Sequence, residues 1–182
     1  KTYFNPLINQ FTKFYNADDI EPIEFYGNCY NGNADLYTTM SYLPHVDTFP
    51  GADEGINPLN DYAFNLNVTK SDKVKTAFYS FNGKKSVCDW TPDDYDDHDR
   101  VRDRHKKIKA KDWRKLSNEN FQNYQLEYIA NIEYNSLILY PSHYWHSVYI
   151  KEDWFTDTDR VTFTGFFETK TTSSKRKKLG FG

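Results

Sequence analysis

The chain has 182 residues, enough for one domain with a core of its own. A formal net charge of -3 gives no whole-chain field directed at nucleic acid or an acidic partner. The mean hydropathy is -0.86, and no apolar run approaches the roughly 18 residues needed to cross a bilayer as a helix. The sequence begins with Lys1, without a charged-then-apolar leader, and reads as a fragment or processed product whose targeting signal could have been removed. Cys29 and Cys88 fit no metal or redox spacing and read as reduced, buried residues of a cytoplasmic protein. Fifteen Tyr, 14 Phe and 4 Trp, 18% of the chain, favour half-buried strands over helices.

Apolar residues at Phe4, Leu7, Ile8, Phe11 and Phe14 have helical spacing, so residues 1–20 predict a short amphipathic helix outside the domain. Polar, Gly-containing text follows and reads as loop. Strands are predicted over 35–43, over 61–69, where Tyr62, Phe64, Leu66 and Val68 alternate, and over 73–81, ending at the tight-turn signal Asn82-Gly83. Residues 89–120 carry an acidic block and then a basic one, predicting an inserted loop plus a polar helix. Strand text returns at 126–134, 136–149 and 160–168, and residues 171–182 read as a basic, disordered tail. At least six strands without strand–helix alternation predict a mainly β, antiparallel sandwich or barrel in a single domain over 1–170.

The text that carries chemistry is LPHVDTFP. His45 and Asp47 stand two residues apart at the end of a strand pattern, so both side chains point to one face. A third ligand would come from His143 or His146. Two imidazoles and one carboxylate on one face of an octahedron leave three positions open, the arrangement of non-haem Fe(II) oxygenases. With five His and 26 acidic residues, one His-x-Asp pair by chance is an ordinary event. Arg160 changes the balance. It opens the apolar strand RVTFTGFFE, where a guanidinium needs an anion, with Thr162 on the same face as a hydroxyl donor. An internal salt bridge is the alternative partner.

The order His45-x-Asp47, His146, Arg160-Val161-Thr162 resembles the 2-oxoglutarate/Fe(II)-dependent oxygenase superfamily, most of all a branch near the prolyl-4-hydroxylase-like group. The similarity runs from about residue 35 to 168, through SYLPHVDTF, TAFYSF, NSLILYPSHYWHSVY and DRVTFTGFF. The resemblance implies a double-stranded β-helix, a jelly-roll or cupin-like barrel with helices outside. It implies Fe(II) on His45, Asp47 and His146, the catalytic metal ligands. It also implies 2-oxoglutarate as co-substrate, held by Arg160 with Thr162, and by Tyr37. His146 is preferred over His143 because the family places its ligand in the His-Ser-Val text, 14 residues before the Arg. The carboxylate of Asp47 favours hydroxylation over halogenation.

His98 and His105 lie among aspartates in the insertion, where a second metal site competes with solvated side chains, and the latter reading is preferred. Residues 89–120 could cover the barrel mouth, with Trp90 and Trp113 closing over a ligand or anchoring the loop. The expected reaction is hydroxylation of a small molecule or a peptidyl side chain with molecular oxygen, releasing succinate and CO2. No membrane is implicated, and a nucleic-acid substrate has little support in the acidic balance. A non-catalytic β-helix module binding carbohydrate or protein is the alternative. It would have no physical need for three ligands and the Arg together.

Overall fold

The computed structural model describes Lys13 and residues 19–30, 44–47, 61–105, 123–151 and 154–170. Seven strands and one α-helix order the described chain: β1 (Asp19–Tyr30), β2 (Asp61–Asn67), β3 (Lys75–Phe81), α1 (Pro92–His105), β4 (Tyr124–Asn131), β5 (Leu137–Pro141), β6 (His146–Val148) and β7 (Arg160–Lys170). They form two antiparallel sheets, β1-β7-β2-β5 and β4-β3-β6. The mainly β, antiparallel expectation therefore holds; among the described residues the strands make two sheets and not one closed barrel. The amphipathic helix expected within 1–20, the strand over 35–43, Tyr37, Trp113 and the tail lie outside the described residues, apart from Lys13 and the first residues of β1.

The sequence reading of β1 needs correction. Text containing Pro22, Gly27 and Asn28 looked like the end of a helix and a loop, yet Asp19–Tyr30 pairs with β7 along almost its whole length. Weak β propensity yields here to a long, continuous partner strand. Gly27 has its own reason: a Cβ there would stand 3.2 Å from the Phe163 ring on the neighbouring strand. The run 136–149 is not one strand either. It breaks after Pro141 into a turn, from which β6 starts in the other sheet. Proline cannot supply a ladder donor, so the chain leaves the sheet there.

The turn after β3 follows its sequence signal. Asn82 and Gly83 both have positive φ, and Phe81 and Lys84 exchange two backbone hydrogen bonds of 2.9 Å. From there the chain enters a 3-10 turn, Val87–Asp89, and then α1. Helix α1 opens with a reciprocal cap: the Thr91 backbone N–H and hydroxyl both donate to Asp94, at 2.7 and 2.6 Å, and the Asp94 N–H donates back to Thr91 O. Pro92 fills the first helical position, where no N–H is needed. Asp94 also pairs with Lys84, and these partners hold its carboxyl well below the usual carboxylate range, the Lys84 bond first.

Much of the core lies on the face of the three-stranded sheet that α1 covers. Tyr79, Phe81, Val87, Val101, Tyr124 and Trp145 are buried together there, with Trp90 stacked on Trp145 at 4.9 Å. His98 belongs to this core. It is 9% exposed and lies 5.0 Å from the Trp145 ring, so the expectation of a solvated side chain was wrong. Burial pushes its pKa down from 6.5 to about 4. Trp90 anchors the insertion to the body. Neither Cys29 nor Cys88 is in a disulfide, but both are exposed and not buried, one on an outer strand and the other in the 3-10 turn.

Candidate metal centre and its cavity

His45 lies directly opposite His146. The two residues exchange backbone hydrogen bonds, His45 N to His146 O at 2.8 Å and His146 N to His45 O at 2.9 Å. Directly paired antiparallel residues point their side chains to the same side of the sheet. The Asp47 N–H donates to Ser142 O, at 2.9 Å, continuing the segment along the β5–β6 turn. Two residues on from His45, Asp47 returns to the same face. A backbone ladder thus collects the three side chains, and one donor atom from each lies within 4.8 Å of the others. His143 is not in this group. It sits in the turn between β5 and β6, so strand parity between it and His146 has no meaning.

The electrostatics of the group are those of a cation site. The His146 Nδ1–H donates to Tyr144 O, at 2.9 Å, which turns the Nε2 lone pair toward Asp47. His146 Nε2 and Asp47 Oδ2 are 3.3 Å apart, and that buried oxygen accepts no hydrogen bond among the described residues. Two acceptors facing each other at that distance repel unless a cation lies between them. Burial depresses His146 to about 4 and raises Asp47 to about 6, the latter opposed by His45. Both imidazole nitrogen and carboxylate oxygen are thereby suited to metal and poorly suited to water-free isolation. The His45/Asp47/His146 group can hold a metal ion.

The group opens into a cavity of about 230 Å3 between the two sheets. Arg160, on β7, lines it from the other sheet. This residue is 3% exposed; its Nη1 donates to Thr162 Oγ1 at 3.2 Å, and its Nε has no hydrogen-bond partner among the described residues. Burial lowers its pKa to about 10, so it remains a cation at neutral pH. No carboxylate pairs with it among the described residues, so the internal salt bridge is not found there. Tyr37 cannot be placed, being outside the described residues. No residue of 87–105 lines the cavity; that part of the insertion packs on the core instead.

Sequence reading missed Asn28, Asn65, Tyr140 and Thr164, which also line the cavity. The signal was available in inverted form. On β2 the alternating apolar set, Tyr62, Phe64 and Leu66, packs with Phe167 and Leu139 on the face away from the cavity. The intervening polar positions face inward, and Asn67, with 0% exposure, donates to Ile132 O at 2.7 Å. An Asn or Thr alternating with large apolar residues on two adjacent strands marks a polar interior face as readily as a solvated one.

No family model matches the chain, and no curated protein matches it. Two solved structures are similar to it in part. One is a novel N-substituted L-amino acid dioxygenase from Burkholderia ambifaria AMMD, with 12% identity over 88% of this chain and 57% of that chain, at a TM-score of 0.48. The other is HygX from Streptomyces hygroscopicus with iron bound, with 10% identity over 82% of this chain and 58% of that chain, at a TM-score of 0.44. The chain thus spans less than two thirds of the length of either. Likeness at this level fixes neither fold nor function.

Proposed function

We propose that the chain is a 2-oxoglutarate- and Fe(II)-dependent dioxygenase that hydroxylates a small molecule or a peptidyl side chain. The observation that carries this reading is one cavity with a His/Asp/His group in one wall, its His146 buried, and in the other a buried guanidinium that no carboxylate pairs among the described residues. A metal and a dicarboxylate together would neutralise what each wall leaves uncompensated. His45, Asp47 and His146 would hold Fe(II), with Asp47 as the anionic ligand and His146 locked in its tautomer by Tyr144 O. Arg160, with Thr162, would hold the distal carboxylate of 2-oxoglutarate. Iron bound there would supply oxidation of a substrate C–H bond by dioxygen, coupled to decarboxylation of the co-substrate to succinate and CO2. Tyr140 and Phe78, whose rings lie 4.7 and 6.3 Å from that of His146, screen the ligand from bulk water.

In this reading the two sheets are the halves of a double-stranded β-helix, supported by the way β2, β3, β5, β6 and β7 cross between them. A branch near the prolyl-4-hydroxylase-like group remains the preferred relation, and residues 1–170 form the one catalytic domain. A non-catalytic module would leave Arg160 buried without a counter-ion, which weighs against it. The test is Fe(II)-dependent release of succinate from 2-oxoglutarate, measured with and without candidate substrates. Turnover that disappears in Asp47→Ala, together with metal binding, supports the reading. A wild-type chain that binds no Fe(II), or an Asp47→Ala variant that behaves like it, refutes the reading.

A further inference from the structure

The described part of the insertion stays out of the cavity, yet it stands directly behind one of the three residues of the metal group. The His146 ring is held in its tautomer and direction by the Tyr144 carbonyl, at 2.9 Å. That carbonyl belongs to the planar peptide unit that ends at the N–H of Trp145. Whatever fixes this plane therefore aims His146. Hydrogen bonding alone fixes it poorly: Trp145 N donates to Lys85 O at 3.4 Å, beyond the usual range of such a bond.

The Trp145 side chain supplies the rest. Adjacent residues on a strand point to opposite faces, so His146 enters the cavity while Trp145 enters the core behind it. The indole is 0% exposed and enclosed by rings: Trp90 stacked at 4.9 Å, His98 at 5.0 Å, Tyr124 at 5.5 Å and Phe81 at 6.1 Å. Trp90 and His98 belong to the insertion. In a close-packed core an indole so enclosed cannot shift without displacing its neighbours, so it pins its own backbone. The root of the insertion is joined to the same turn, since Val87 N donates to His143 O at 3.2 Å and Ser86 bridges Tyr144. Residues 142–146 thus lie between two supports. The segment with His45 and Asp47 bonds to His146 and Ser142 on one side, and residues 85–87 bond to Trp145 and His143 on the other.

We propose that Trp145 and Trp90 are positioning residues for His146, and that the described part of the insertion is the backing against which this ligand is aimed. The proposal rests on the reading of His45, Asp47 and His146 as a metal site. Donor atoms of such a site must be held to within about 0.5 Å, and groups that orient a ligand from behind typically account for about 10–100-fold in metal affinity. Trp90 is the informative residue. It does not line the cavity, and its stack on Trp145 is what connects it to His146.

The experiment titrates the full chain with Mn(II), followed by electron paramagnetic resonance, and records the visible spectrum of the Co(II)-loaded protein. Trp90→Leu is expected to weaken Mn(II) by about 10-fold or more and to shift the Co(II) ligand-field bands. Trp90→Phe, which keeps a flat ring against Trp145, is expected to stay within about threefold of wild type. Val74→Ala is the control for lost stability alone: Val74 is 1% exposed in the same core, beside Ile132 at the start of β3. It is expected to lower Tm and leave both readouts unchanged, because the folded majority binds metal as before. If Trp90→Leu fails to fold, Trp145→Phe carries the test, with an expected loss of about 3–10-fold. Unchanged Mn(II) affinity and Co(II) spectrum in the folded Trp variant, or equal losses in Val74→Ala, overturn the assignment and leave the metal site standing. A wild-type chain that takes up neither ion overturns both.

Discussion

Replacing Arg160 with methionine should separate stability from binding, because both depend on the same guanidinium with opposite sign. The side chain is 3% exposed and still protonated at neutral pH; among the described residues it makes one side-chain hydrogen bond, to Thr162, and its Nε has no partner. Burying an ion without a counter-ion costs several kcal/mol, and methionine fills a similar volume at no such cost. Loss of the Thr162 bond offsets about 1 kcal/mol. The ligand-free variant should thus be more stable by about 1–3 kcal/mol, which for a domain of this size raises Tm by roughly 2–10 °C. Binding moves the other way. Two charge-assisted hydrogen bonds to a carboxylate contribute about 3 kcal/mol or more, so affinity for 2-oxoglutarate should fall by at least about 100-fold. Thermal melts without ligand, and titration of the Mn(II)-loaded protein with 2-oxoglutarate, measure the two effects. A variant that melts several degrees lower and binds 2-oxoglutarate normally would refute the reasoning, since Arg160 would then be serving a partner within the protein.

Three further outcomes follow from the same structure. His146→Ala should weaken Mn(II) or Fe(II) binding by about 100-fold or more, whereas His143→Ala, in the adjoining turn, should change it by no more than about threefold; equal losses would void the assignment of the third ligand. Asp94→Ala removes the reciprocal cap of α1 and the Lys84 partner and should destabilise the fold by about 2 kcal/mol in urea denaturation; a change below about 0.5 kcal/mol would show that α1 is held by packing alone. His98 has a folded pKa of about 4 against an ordinary 6.5, through burial first and then Arg102, with Asp99 opposing. Between those values the unfolded chain binds the proton and the folded one does not. Stability contributed by the neutral ring is whole above about pH 6.5 and falls toward pH 4, by about 2 kcal/mol after allowance for residual solvent contact. Urea midpoints at pH 7 and 4.5 should show a smaller acid loss in His98→Gln than in wild type; parallel losses would rule the residue out.

Period-two alternation made β2, β3 and β7 legible, and Asn82-Gly83 announced its turn, because these signals are local. The pairing of His45 with Asp47 on one face was legible for the same reason. What decided β1 was a partner strand well over a hundred residues away, which no local propensity reports. The inward direction of Asn65, Asn67 and Thr164 was not legible because alternation tells two faces apart without saying which is interior. His98 was misread because its neighbours in sequence are aspartates, while its neighbours in space are Trp90, Trp145 and Phe81. The turn at Ser142 explains why strand parity could not choose between His143 and His146, a choice that the resemblance made. Burial of Arg160 was readable from an apolar strand, whereas its lack of a carboxylate partner among the described residues needed the fold.

The ladder that sets His45 against His146 joins positions about 100 residues apart in the chain. A metal ion bound across that pair acts as a removable cross-link: it closes a long loop of the unfolded chain and ties β6 to the segment 44–47. Stability of the whole domain then becomes a function of free metal concentration, rising by about 1.4 kcal/mol for each tenfold excess over the dissociation constant. A cell that withdraws the metal would be loosening the scaffold as well as silencing the site.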